Sequence, residues 1–93
     1  MTSHTIERYT FGYDWSTRFV DARPFGATEG GAIYLSEING AYYVITDEST
    51  MADFLDDDDL RTLPLIAIHR FDTAIERDMY CETRFANNRS IEM

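Results

Sequence analysis

The sequence predicts an α+β domain: an antiparallel sheet of about five strands with one main helix packed on one face. Three observations carry that expectation. Residues Tyr9 to Phe19 alternate with period two, Asn39-Gly40 sits between two β-rich runs, and "LPLIAIHRF" is apolar at most positions. At 93 residues the chain fits one domain, 1–93, with one modest core. Its 44 % apolar content, with six Phe, six Tyr and one Trp, separates it from disordered acidic tails, which are poor in aromatics.

The first element is the alternating run. Tyr9, Phe11, Tyr13, Trp15, Thr17 and Phe19 occupy odd positions, and Arg8, Thr10, Gly12, Asp14, Ser16 and Arg18 occupy even ones. A period of two belongs to a strand rather than a helix. The expectation is one long strand bent at Gly12, or a hairpin turning at Gly12-Tyr13-Asp14, with the aromatic stripe in the core. "ARPFGATEGG", Ala22 to Gly31, reads as a loop by composition.

Next comes "AIYLSEINGAYYVIT". Asn39-Gly40 is the favoured type I′ turn dipeptide, because both central residues need positive φ. A two-residue loop sets Leu35 opposite Val44 and Tyr34 opposite Ile45. Apolar groups on both sides place this hairpin centrally in the sheet.

Ser49 or Thr50 then caps the expected main helix, with Asp53 at capping-box spacing from Thr50. Met51, Phe54 and Leu55 would be its inward side, and Asp53, Asp56 and Asp57 its outward side. Asp58 would fall on the apolar side, where an unpaired charge is costly. The helix should therefore end near Asp57, with Asp58 and Asp59 marking its stop, unless Asp58 takes Arg61 as partner.

Leu65 to Phe71 reads as a buried strand, with Pro64 at its start. The last third admits two readings. A helix from Asp72 puts Asp78 and Glu82 inside the apolar arc of Ile75, Met79 and Phe85. A strand from Asp78 to Phe85 separates Met79, Cys81, Thr83 and Phe85 from Tyr80, Glu82 and Arg84. The strand sorts the residues better, after one helical turn at Thr73 to Arg77. The tail from Ala86 is expected to fray.

Seventeen acids against eight bases give a net charge of −9, and every base is arginine. Salt adaptation or a GC-rich genome would give such a balance without any functional meaning. Read functionally, the surface repels nucleic acid and attracts basic partners. Direct nucleic-acid binding, which needs a cationic footprint, is not expected. No apolar run approaches membrane-spanning length, so no membrane partner is expected either. The N-terminus lacks a basic segment followed by an apolar one, and the single Cys81 has no partner for an internal disulfide. A cytoplasmic setting follows. "NRS" at Asn88 to Ser90 matches a glycosylation acceptor, a match without force in that setting.

The aspartate run does not make a calcium loop. Counted from Asp53, the sixth position is Asp58 rather than glycine, and the twelfth is Pro64 rather than glutamate. His69 with Cys81 could form a nucleophile–base pair, the basis of an alternative reading as a small enzyme. No phosphate-binding, dinucleotide, esterase, zinc-protease or redox-cysteine signature accompanies them. No cofactor, metal site or catalytic residue is expected. The candidate partner-binding residues are Asp47, Glu48, Asp53, Asp56, Asp57, Asp58 and Asp59, seven acids within thirteen residues and no base among them. Carboxylates along such a surface satisfy the same arginine donors that phosphates do.

In size, charge and this acidic cluster the chain resembles the small acidic inhibitors that phages and mobile elements carry against host defences, the anti-CRISPR and anti-restriction proteins, several of which mimic DNA. The resemblance implies a non-enzymatic inhibitor. Its partner would be a basic protein or ribonucleoprotein complex whose nucleic-acid-binding surface it blocks. Self-association into a homodimer is left open. An immunity protein or antitoxin neutralising a basic nuclease uses the same electrostatics. A structural or assembly subunit using the aromatic run as an interface is a further reading.

Overall fold

The computed structural model describes residues 4–28 and 30–91, with the side chains of 85–91 left aside. Five strands form one antiparallel sheet: β1 (Thr5–Tyr9), β2 (Arg23–Thr28), β3 (Gly31–Ile38), β4 (Ala41–Asp47) and β5 (Ile66–Phe71). Their spatial order is β1-β5-β4-β3-β2. Two helices complete the α+β fold, the short α1 (Asp57–Thr62) and the long α2 (Ala74–Ile91).

The centre of the sheet follows the sequence reading. Asn39 and Gly40 turn with φ of 52° and 79°. Leu35 pairs with Val44 and Tyr34 with Ile45. β4 is the middle strand and β5 lies beside it, entered after Pro64. Their side chains alternate between two separate cores. Val44 and Phe71 join Ile33 and Cys81 on one side. Ile45, Ile66 and Ile68 join Phe19 on the other. Each such aliphatic side chain stabilises the fold by about 1.5–3 kcal/mol through burial.

The margins of the sheet depart from that reading, for identifiable reasons. The aromatic run is not one strand or a hairpin. β1 ends at Tyr9, and a 3-10 turn spans Trp15–Thr17. Gly12 turns the chain with φ of 101°. The Asp14 side chain then accepts a hydrogen bond from the Ser16 amide at 3.2 Å, a local bond that competes with strand pairing. Tyr9, Tyr13, Trp15 and Phe19 still share one side, as a cover rather than a strand, while Phe11, expected in the core, is 45 % exposed where the chain turns at Gly12. Tyr9 and Tyr13 stack with centroids 3.7 Å apart, Trp15 leans on Tyr34, and Phe19 plugs the core against Tyr43.

Arg23–Thr28, expected as loop, is an edge strand with a register shift between Pro24 and Gly26. Proline and glycine are tolerated at an edge and at a bulge because they break few ladder bonds there.

The main helix is at the opposite place from expectation. Ser49–Phe54 is only a 3-10 turn, and Phe54 is 86 % exposed. The strand expected at Asp78–Phe85 is part of α2, whose backbone continues through the tail to Ile91; residues 92 and 93 lie outside the described residues. The helix avoids the conflict at Asp78 and Glu82 by burying a different stripe. Ala74, Arg77, Tyr80 and Cys81 face the sheet, while Ile75 and Met79 face outward. Arg77 is accommodated because its guanidinium lies over the Tyr42 ring and its Nε donates to Asp78 at 2.9 Å.

Phe19→Ala is expected to cost about 3–5 kcal/mol, because it empties the core beneath the Tyr9–Ala22 cover. Phe54→Ala should change stability by less than about 0.5 kcal/mol. Chemical denaturation of the two variants checks both values; equal effects would mean that the cover does not pack as described.

Candidate functional site

The seven candidate acids are not one surface. Asp47 and Glu48 stand at the end of β4, where successive side chains point to opposite faces of a sheet. Asp47 turns toward the cover. Its carboxylate accepts from Trp15 Nε1–H at 2.6 Å, from the Ser49 amide at 3.0 Å and from the Ser49 hydroxyl at 2.5 Å. It is a structural tie rather than an open docking group. Glu48 turns the other way, toward a cavity on the α2 side of the sheet. Its backbone amide donates to the Leu65 carbonyl at 2.9 Å.

The remaining five acids do form a ridge. Asp53, Asp56, Asp57 and Asp58 are exposed and Asp59 is half-buried. Asp56 is the N-cap of α1, its carboxylate accepting from the Asp59 amide at 2.9 Å. Asp57, Asp58 and Asp59 occupy the first turn of α1, where backbone amides favour negative charge. The run therefore starts a helix, and the expectation that Asp58 and Asp59 end one is overturned. Asp58 does pair with Arg61, at 2.7 Å, in the open. An exposed pair of this kind contributes little to stability. Phe54 follows Asp53 in the chain and is 86 % exposed, with Met51 and Leu63 also partly exposed.

The cavity was not visible in the sequence. α2 packs across β2, β4 and β5 without covering all of that face, and leaves a space of about 440 Å³. Arg8, Thr28, Thr46, His69, Tyr80 and Arg84 line it. These residues come from four strands and one helix, spaced too irregularly for any motif. Only the one-face parity of the strands could have grouped some of them.

His69 sits at the inner wall, 8 % exposed. Its Nδ1 faces His4 Nε2 at 2.8 Å, and its Nε2 faces the Tyr80 hydroxyl at 3.2 Å. The His4 ring stacks on Phe71 with centroids 4.4 Å apart. Burial pushes the His69 imidazole down to about 4, and the neighbouring His4, Arg8 and Arg84 act in the same direction. Burial raises the Tyr80 phenol. Cys81 is buried in the core with Ile33, Val44 and Phe71. His4 and Tyr80, rather than the Cys81 thiol, face the two His69 ring nitrogens.

No family model, no curated protein and no solved structure matches the chain. Function must therefore be read from the residues themselves. Among the described residues, no group of three or more His, Cys, Asp or Glu is placed to hold a metal ion. Among them, too, no helix is long and apolar enough to cross a membrane.

Two tests follow from this geometry. The unfolded chain takes up the His69 proton near 6.5, whereas the folded protein resists until about 4. Between those values the unfolded state binds the extra proton, so stability should fall as pH drops through that window. Arg18 and the Tyr9 hydroxyl hold the Glu7 carboxylate down to about 2, adding a second loss from about 4.5 downward. Ring-proton NMR titration should place His69 near 4; titration near 6.5 would contradict its burial. Asp47→Ala strands the Trp15 indole N–H and should destabilise the fold by about 1–3 kcal/mol, read by denaturation and by a change in tryptophan emission.

Proposed function

We propose that the protein is a non-enzymatic binding module whose acidic ridge, Asp53 and Asp56 to Asp59, docks on a basic, nucleic-acid-binding surface of a cytoplasmic defence complex and blocks it. The observation that carries this reading is Phe54, 86 % exposed and set between Asp53 and Asp56 in the chain. A solvated acidic face needs no aromatic side chain, and exposing one makes solubility worse rather than better. A docking surface does need one. Binding energy concentrates in a few large anchors surrounded by polar groups that exclude water. The carboxylates around it would accept charge-assisted hydrogen bonds from arginines that otherwise hold phosphates. Their long-range contribution would fall mainly on the association rate.

The ridge is also short of internal counter-ions. Arg61 is the single base between Arg23 and Arg70 in the sequence. It meets Asp58, which leaves the ridge strongly negative. Asp47 is better assigned to the fold than to the partner, given its bonds to Trp15 and Ser49. Glu48 is better assigned to the cavity.

The test compares tagged wild type with Phe54→Ala and with the triple variant Asp57→Asn, Asp58→Asn, Asp59→Asn, each with an unchanged circular dichroism spectrum. Wild type should capture a basic nucleic-acid-binding protein or complex from host lysate at low salt. High salt and excess duplex DNA should both release it. Phe54→Ala should weaken capture by about 30-fold, the effect of losing an anchor of about 2 kcal/mol. Capture that survives salt, duplex competition and both variants would sink the proposal. A captured toxin nuclease in place of a defence complex would identify an immunity protein acting through the same surface.

A further inference from the structure

The cavity beneath α2 has a chemical character opposite to that of the rest of the protein. In a chain of net charge −9, two of the eight arginines line it. Four of the others are matched by acids: Arg18 with Glu7, Arg61 with Asp58, Arg70 with Asp72 and Arg77 with Asp78. Arg8 makes no such pair among the described residues. It stands on β1 opposite Ala67, whose small side chain leaves the space above it open. Arg84 comes in from α2, one helical turn beyond Tyr80, to whose side chain it bonds. Two guanidinium groups thus approach one space from two different elements.

The hydroxyl groups lining the space point the same way. Thr28 Oγ1 is shielded from solvent and has no hydrogen-bond partner among the described residues. A hydroxyl in that position loses its water without a replacement bond, which is unfavourable unless something in the cavity supplies one. Thr46 contributes a second hydroxyl, at a long 3.5 Å from the Ala67 carbonyl. A volume of about 440 Å³ lies within the size range of small-molecule sites.

We propose that this cavity binds a small molecule through an oxyanion group, a phosphate or a carboxylate, held between Arg8 and Arg84 with a hydrogen bond to the Thr28 hydroxyl. Planar guanidinium forks match either anion. Glu48, also lining the cavity, would accept from a hydroxyl or amine elsewhere on the ligand and would disfavour polyanions such as nucleic acid. His69 and Tyr80 supply the neutral wall. The site is independent of the acidic ridge, so its test can fail without touching the docking proposal.

The experiment uses inorganic phosphate and acetate as separate probes against the whole protein, with chloride at matched ionic strength as the reference. Binding is read from the ring signals of His69 and Tyr80 by NMR. At least one probe should give a saturable shift that chloride does not, and the probe that does so identifies the anion source. Arg8→Gln should weaken that binding about tenfold, while Arg61→Gln, on the ridge, should leave it unchanged. Thr28→Val is the discriminating variant. It should weaken binding several-fold with stability unchanged or raised, because the hydroxyl it removes has no partner among the described residues. No saturable response to either probe would overturn the proposal. So would equal binding by Arg8→Gln, or a loss of stability in Thr28→Val.

Discussion

The structure depends on one constraint: β4 and β5 carry apolar side chains on both faces, so the sheet must be covered twice. Val44 and Ile45 are adjacent in sequence, fully buried, and face opposite ways. A chain of 93 residues cannot supply two full helical layers. It supplies one helix for the face holding Val44 and Phe71, and an irregular aromatic cover for the face holding Ile45, Ile66 and Ile68. The cover has little ladder bonding of its own, and polar ties pin it at three points. Arg18 meets Glu7 in a two-pronged pair at 2.7 and 2.9 Å. Trp15 meets Asp47. Asp21 accepts from the Ser36 hydroxyl and from the Glu37 amide on β3, and those bonds lower its carboxyl below the usual range. An irregular segment over a sheet needs such partners, since its backbone groups have no ladder to satisfy them.

What was legible in the sequence is what local chemistry alone determines. Asn39-Gly40 dictates its turn through backbone sterics, and the turn dictates the register of β3 and β4. The largely apolar run from Leu65 to Phe71 dictates β5. What was illegible depends on position in the sheet. The same proline and glycines that argue for a loop at Pro24 and Gly26 are harmless on an edge strand. Period two from Tyr9 to Phe19 implied a strand, but spacings of four between Tyr9 and Tyr13, and between Trp15 and Phe19, serve a turn-and-helix path equally well. In α2 the large apolar residues misled. Ile75 and Met79 point outward, and the inward stripe includes Arg77, which becomes an apolar surface only by lying on Tyr42.

The candidate site was half legible for a related reason. Counting charge finds the acids but does not say which way each one faces. Asp47 and Glu48 are neighbours in the sequence and belong to different structures, one bonded to the indole that closes the aromatic cover, the other lining the cavity under the helix. The alternation that sorts Val44 from Ile45 sorts these two acids as well. Only after Glu48, where the strand ends and the chain turns outward through Ser49–Phe54, do the carboxylates collect on one exposed ridge. The end of β4 is therefore the point where the protein's electrostatics divide. Acids beyond it follow one another beside an exposed phenylalanine, and Arg8 of β1 and Arg84 of α2 line a polar space behind it. That separation follows from the sheet's parity, and it lets a chain of strongly negative net charge keep one pocket of the opposite character.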